Sequence, residues 1–442
     1  MKITFFGATQ EVTGSKYLVE SENTKVLVDC GLYQGEDHIK KHNWDTFPVD
    51  AKTIDAIVLT HAHLDHTGYI PVLVKNGFEG KVYCSKGTSA VAAIVLRDSG
   101  SVHEQDAKKT QLQPLYTIKD AENAITLFQT MDYGTVFSVG SLKIKLIQSF
   151  HILGSSFVVI SDGSKTLTFS GDLGRPNQLI MKSPPHLKET DFLVLESTYG
   201  NKVHPNTDPI SELGKIINQA ISKQGTIIIP AFAIERTQTI LYCLYLLRQK
   251  NIIPKIPIFL DSPMATSITN LFDEFTDEHT LSPQQCKDVF NIATYTATTK
   301  DSAHVDLVTG PKIIIAGSGM AHGGRVLNHL THFIAKATTT IIFVGFQADG
   351  TNGKALINGA NQIKIDEQWY PVNATVTLIN SFSAHADSNE ILQWVSSFEK
   401  KPKKIFLTHG ELAASESLKQ KIEKELNLSV VIPKKLESFD LN

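Results

Sequence analysis

The alternation of apolar and polar positions divides the chain into three stretches. Over residues 1–60, the runs ITFFGA, YLVE, KVLVDCG and DAIVLT are β-rich and end in glycine, polar residues or histidine, which predicts short strands separated by turns. Helical patterns follow around YIPVLVKNG and SAVAAIVLRDSG, with a strand at KVYC between them. Residues 101–135 read as mostly helical and polar, and strands return at TVFSVG, LKIKLIQSF, SFVVIS and KTLTFSG before DFLVLEST closes the stretch. After residue 200 the texture changes. NKVHPNTDP is a polar, proline-containing linker, and strand-then-helix units follow: TIIIPAF, IPIFLDS and KIIIAGSG each precede a helical segment, and TTIIFVGF ends the series. Continuous apolar strands alternating with helices predict a buried parallel sheet in an inserted α/β domain. The last stretch returns to the first style, with TVTLINSFSAH, a helix at SNEILQWVSSF, a strand at KIFLTHGE, an amphipathic helix at LKQKIEKEL and a final strand SVVIP. The expected boundaries are 1–204, 205–371 and 372–442.

Composition narrows the class. A length of 442 residues suggests two or three domains, and 42% hydrophobic with 20% charged residues excludes disordered, collagen-like and coiled-coil chains. Lys+Arg number 42 against Asp+Glu 45, a net charge of -3, so any nucleic-acid surface must be a focused groove and not a broad basic face. The four cysteines, Cys30, Cys84, Cys243 and Cys286, form no CxxC pair and no disulfide framework, which predicts packed thiols in a reducing, cytoplasmic setting. MKITFFGA reads as a strand and not as a leader, and no apolar run approaches the roughly 18 residues of a membrane span. The lysines of KKPKK (400, 401, 403 and 404) are most simply a solvated turn, with contact to an anionic ligand as the alternative.

The densest chemistry is His61-Ala-His63-Leu-Asp65-His66, directly after the apolar strand DAIVLT. Side chains alternate along an extended segment, so His61 and His63 project to one side, and the turn that follows brings Asp65 and His66 to the same volume. Imidazole nitrogen with carboxylate oxygen suits Zn²⁺. Four residues cannot complete two tetrahedral sites, and the remaining donors are expected from other strand ends: His151 after LKIKLIQSF, Asp172 after TLTFSG and His409 after KIFLT. A carboxylate such as Asp172 can bridge two cations. Asp29, ending KVLVD, is better placed to orient a histidine or a water than to bind metal directly.

HAHLDH followed by Thr67-Gly68 resembles the HxHxDH motif of the metallo-β-lactamase superfamily, and Asp29, His151 and Asp172 are similar to that superfamily's other motifs in order and context. The resemblance implies an αββα sandwich of two facing sheets flanked by helices. It implies one metal on His61, His63 and His151, another on Asp65, His66 and a further residue, and Asp172 between them. The block between Asp172 and His409 resembles the β-CASP domain of nucleases that process RNA and DNA. Glu196 in LVLESTYG, His385 in NSFSAHAD, His409 in LTHGE and the segment AGSGMAHGGR support this. The nearest likeness is to the RNA-cleaving branch related to the 73-kDa cleavage and polyadenylation endonuclease, since DNA-directed members generally lack a histidine at the His409 position. The added RNA-binding domain that archaeal relatives often carry is not evident at either end.

The implied activity is a zinc-dependent ribonuclease with two Zn²⁺ per chain. It hydrolyses single-stranded RNA, gripped between its two domains, by two-metal activation of a bridging hydroxide. It is expected to be an endonuclease, with 5′-exonuclease activity as the variant, and a homodimer is compatible with the resemblance. Asp65 is counted with the catalytic groups, and the resemblance makes His385 the general acid, supported by Glu196. Ser383 is a candidate donor to the scissile phosphate. Arg236, opening the helix after TIIIPAF, and Arg325, after the Gly-rich turn, are candidate phosphate contacts, though either could be an ordinary ion-pair residue. Two other readings stand beside this one: a thioester or lactam hydrolase on the same metals, and a catalytically silent RNA-binding relative.

Overall fold

Residue alternation builds two seven-stranded sheets that face each other. In the computed structural model, which describes residues 1–442, the first sheet runs in the order Ser438–Asp440, Lys2–Phe5, Tyr17–Ser21, Thr24–Val28, Ala56–Val58, Lys81–Cys84 and Phe128–Thr130. The second runs Ser429–Val431, Lys404–Thr408, Phe192–Glu196, Thr166–Phe169, Ser156–Ser161, Leu142–Gln148 and Val136–Val139. Val26 and Val28 turn inward with Val58 and meet Leu146, Val158, Phe169, Val194 and Phe406 of the opposite sheet. Leu27 and Ile57, one residue out of phase, turn outward onto helices Ile70–Lys75, Lys86–Thr110 and Ile118–Ile125 through Leu73, Leu96 and Ala121. On the far side Leu193, Leu195, Ile405 and Leu407 pack under helices Ser388–Ser396 and Leu412–Leu426. The result is the expected αββα sandwich. Tyr17 ties its layers, stacking on Phe169 at 5.7 Å and donating its hydroxyl to Thr408 Oγ1 at 3.1 Å.

The chain divides into two compact units, Met1–Val203 with His385–Asn442, and His204–Ala384. The second unit holds the inserted sheet, six parallel strands in the order Thr294–Tyr295, Ile258–Asp261, Lys312–Ala316, Thr226–Pro230, Thr340–Phe343 and Thr375–Leu378. TIIIP, KIIIA and TIIF are buried along their whole length, as strands covered on both faces must be.

Two readings of the pattern are corrected. Thr375–Leu378, expected to open the last stretch beyond residue 371, pairs with Thr340–Phe343 and so belongs to the inserted sheet. Ser438–Asp440 returns to pair with Lys2–Thr4, a strand too short and too polar to show in the sequence. No helix is long and apolar enough to cross a membrane.

Candidate metal centre

Asp29, the His61–His66 run, His151, Asp172, Glu196 and His409 all lie at or just after the carboxyl ends of strands of the two sheets. The chain between His61 and His66 is not a simple turn. His63 caps a one-turn helix, Leu64–Thr67, which carries Asp65 and His66, so these two come from within a helical turn and not from a bend before it. The carbonyls of that turn are pinned from outside: Leu64 O accepts from Leu32 N at 2.9 Å, Asp65 O from Ser15 N at 2.9 Å and His66 O from Cys30 N at 2.7 Å. Gly31 permits this approach, because a Cβ there would stand 1.6 Å from Asp65 O.

Asp172 is the hub. Its Oδ2 lies 3.3 Å from His61 Nε2, 3.5 Å from His151 Nε2 and 3.9 Å from His63 Nδ1. Its Oδ1 lies 3.3 Å from His66 Nε2 and 3.5 Å from His409 Nε2, and Asp65 Oδ2 joins that group at 3.1 Å from His409 Nε2. Four donors about 2.0–2.1 Å from one zinc stand about 3.3 Å apart along the edges of a tetrahedron. The spacings bracket that value. The donors are also short of other partners: both ring nitrogens of His151, Nε2 of His66 and Oδ1 of Asp172 are buried without a hydrogen bond. Buried polar atoms are costly to leave unpaired, and two divalent cations would satisfy all of these except His151 Nδ1. The residues present therefore fit two metals.

The groups behind the donors fix their direction. Asp29 Oδ2 lies 2.8 Å from His66 Nδ1, and the Asp29 carboxylate also accepts from Thr60 N at 2.7 Å and Thr60 Oγ1 at 2.8 Å. Thr60 Oγ1 in turn stands 3.0 Å from His61 Nδ1. Thr198 Oγ1 stands 3.0 Å from His409 Nδ1. With its one proton given away, each hydroxyl accepts from Nδ1–H, which leaves the Nε2 lone pair of His61 and His409 aimed at Asp172. Thr60 and Thr198 were missed in the sequence; their only signal there is a hydroxyl residue beside a metal-type motif.

Burial holds His61 down to about 4, with the neighbouring His66 adding to it, and burial holds His151 well below the ordinary imidazole value. Both rings are neutral at physiological pH, the form a metal takes. Burial also works against charge on Asp172, but His409, His66 and His61 outweigh it and keep the carboxyl well below its usual range. His66 is driven the other way: against burial, Asp172, Asp29 and Asp65 raise it well above its ordinary value. The site thus favours positive charge where a cation would sit.

Beside this centre Glu196 receives His385 Nδ1 at 3.0 Å through Oε1 and 3.2 Å through Oε2, and accepts from Leu173 N at 2.6 Å. The other nitrogen, His385 Nε2, faces Asp172 Oδ2 at 3.9 Å. Burial alone would lower this imidazole; Glu196 and then Asp172 outweigh it and raise it to about 9.

Ser383, Arg236 and Arg325 belong to the second unit, His204–Ala384. Ser383 follows the 3-10 turn Asn380–Phe382 and is half-buried. Arg236 is buried against Glu235, its guanidinium 3.4 Å from that carboxylate. Arg325, read as a phosphate contact, is turned inward: it donates to Asp261 Oδ1 at 2.6 Å and to Ala297 O at 3.1 Å, so its sequence alternative, an ion-pair residue, describes it better. Of the turn lysines, Lys400 pairs with Glu189 at 3.4 Å and Lys403 with Asp191 at 3.1 Å.

Comparison with known proteins identifies the family. Residues 11–210 match the metallo-beta-lactamase superfamily, residues 237–356 the Beta-Casp domain, and residues 369–433 the Zn-dependent metallo-hydrolase RNA specificity domain. The chain is 35% identical over 418 residues to ribonuclease TTHA0252 of Thermus thermophilus, covering 93% of each chain. It is 30% identical to transcription termination factor FttA of Thermococcus kodakarensis, covering 100% of this chain and 71% of that one. A crystal structure of a protein of unknown function from Enterococcus faecalis shares the fold, with a TM-score of 0.56 at 13% identity and 99% of each chain covered. With the sandwich, the inserted parallel sheet and the strand-end histidines, these matches establish that the chain belongs to the Beta-Casp family of metallo-β-lactamase-fold metallo-hydrolases.

Proposed function

We propose that the chain is a zinc-dependent ribonuclease that hydrolyses phosphodiester bonds of single-stranded RNA, cutting internally, with two Zn²⁺ as cofactors. The observation that carries the reading is the division of Asp172 between two donor groups, Oδ2 toward His61, His63 and His151 and Oδ1 toward His66 and His409. Similarity to ribonuclease TTHA0252 supports RNA as the substrate class. The buried donors support a flexible single strand, whose phosphate can be drawn inward where a duplex cannot follow. Four free, buried cysteines support a reducing, cytoplasmic setting.

Two divalent cations at such a site supply a water of lowered pKa and neutralise charge that develops at phosphorus. The chain's own residues do the rest. Thr60, Asp29 and Thr198 hold His61, His66 and His409 in the orientation that presents Nε2. Glu196 keeps His385 protonated with Nε2 facing the reacting centre, so His385 gives its proton to the leaving oxygen as the bond breaks.

The test is cleavage of single-stranded RNA labelled at one end, with metal analysis of the same preparation. Internal products that disappear in His385→Ala, which keeps its metals, support the reading. Stepwise release from the 5′ end would replace endonuclease by exonuclease. Retention of RNA without cutting would favour a silent binding relative, and turnover of a thioester or lactam alone a different hydrolase.

A further inference from the structure

A second polar feature lies in the same unit as the metal centre. A cavity of about 360 Å³ is lined by Thr9, Gln10, Glu11, Tyr33, Lys434 and Lys435. The first three belong to the loop between strands Lys2–Phe5 and Tyr17–Ser21, and that loop is shaped around Tyr33. A Cβ at Gly14, where φ is +85°, would stand 2.6 Å from the Tyr33 ring, and one at Gly7 would stand 1.9 Å from Gly14 O. The Tyr33 hydroxyl donates to Phe6 O at 3.1 Å.

The same loop also fixes the metal donors. Ala8 O accepts from His409 N at 2.8 Å and Glu11 O from Gly410 N at 3.1 Å, while Ser15 N donates to Asp65 O at 2.9 Å. The cavity wall and the backbone that carries His409 and Asp65 are therefore one hydrogen-bonded piece. A polymer with its scissile bond at the metals has flanking nucleotides that must rest on nearby surface, and a cavity whose wall is hydrogen-bonded to the backbone of His409, Gly410 and Asp65 is a candidate for it.

The lining chemistry selects the occupant. Lys434 is exposed and makes no ion pair, and Lys435 sits 5.3 Å over the Tyr33 ring and 3.4 Å from Asp45. Lysine ammoniums seek phosphate. Glu11 would repel a bare anion, yet with Gln10 and Thr9 it suits the hydroxyls of a sugar. A nucleotide carries both chemistries; inorganic phosphate carries one. We propose that this cavity is a subsite for a nucleotide flanking the scissile bond of the RNA substrate, its phosphate held by Lys434 and Lys435 and its sugar hydroxyl accepted by Glu11. The inference rests on the ribonuclease reading above.

The experiment measures kcat/KM for single-stranded RNA against salt concentration. It compares the wild-type protein, Lys434→Ala/Lys435→Ala, and a control, Lys400→Ala/Lys403→Ala, whose lysines are paired on another surface. Each neutralised single-strand phosphate contributes about 0.7 to the log–log salt slope, so the first variant, which loses the hold on one phosphate, should show a slope shallower by about 0.7, and the control the wild-type slope. Glu11→Gln should narrow the preference for an all-ribose substrate over one with deoxyribose at the flanking positions. An unchanged slope in Lys434→Ala/Lys435→Ala, or an equal change in the control, overturns the subsite. If the wild-type protein cuts no RNA, the ribonuclease reading fails by itself, and the same slopes taken from RNA binding decide the subsite.

Discussion

The Thr198 hydroxyl lies 3.0 Å from His409 Nδ1 and 3.0 Å from the carbonyl oxygen of the same residue, so one side chain holds both the ring and the backbone of His409. His409 needs this hold, since its φ of +51° is one that residues with a side chain seldom adopt. Removing the hydroxyl frees the ring to turn. Thr198→Val should weaken metal binding by about 10–100-fold, the usual effect of losing a group behind a ligand, while Thr198→Ser stays near wild type. Competition with a chelator reads this directly.

Glu196 is the largest influence that raises the His385 imidazole. In Glu196→Gln the carboxylate that outweighs burial is gone, so the imidazole titrates lower. A general acid works only while protonated. The alkaline limb of the pH–rate profile should therefore move to lower pH, with kcat reduced by about 10²–10⁴-fold in His385→Ala and metal content unchanged in both. An unmoved limb would assign Glu196 a purely structural part.

Gly31 offers a test of how the donor run is held. Its α-carbon lies so close to Asp65 that any Cβ collides with the carbonyl at 1.6 Å. Both partners are backbone and cannot swing away, so Gly31→Ala must push the Leu64–Thr67 turn outward. A loss of about 1–3 kcal/mol or more in denaturant unfolding is expected, together with reduced metal content.

The inserted unit contains a separate titrating group. His329 lies between Asp306 Oδ1 at 2.6 Å from Nδ1 and Asp261 Oδ2 at 2.8 Å from Nε2, while Asp261 also accepts from Arg325, Thr296 and Ser302. Burial lowers His329, but the two carboxylates outweigh it and the net shift is upward. A histidine raised on folding stabilises fully below its unfolded value of about 6.5 and loses that contribution as pH rises through the folded value. The stability gap between the wild-type protein and His329→Gln should thus be widest in mild acid and shrink toward alkaline pH. A gap that widens with pH would contradict the assignment of charge.

How much of this was legible in the chain depended on distance along it. His61, His63, Asp65 and His66 announce themselves because four donors fall within six residues. His151, Asp172 and His409 could be read from their position after apolar strands, since strand ends are where a sandwich gathers its polar groups. Thr60 and Thr198 could not, because a threonine beside a turn looks like an ordinary cap until the ring it faces is known. For Arg325 the sequence left a phosphate contact and an ion pair both open: the Gly-rich turn beside it is visible, but Asp261, which accepts from its guanidinium, lies 64 residues away. Thr375–Leu378 was assigned to the wrong unit because a strand of four residues carries no mark of the sheet that it joins.

The central claim is that Asp172 joins two cations, and elemental analysis of metal per chain tests it most directly. The wild-type protein should hold about two zinc ions per chain and Asp172→Ala fewer than one, because both groups of donors lose their shared carboxylate. A wild-type protein that binds no more than one metal, or an Asp172→Ala variant that keeps two, would contradict the account.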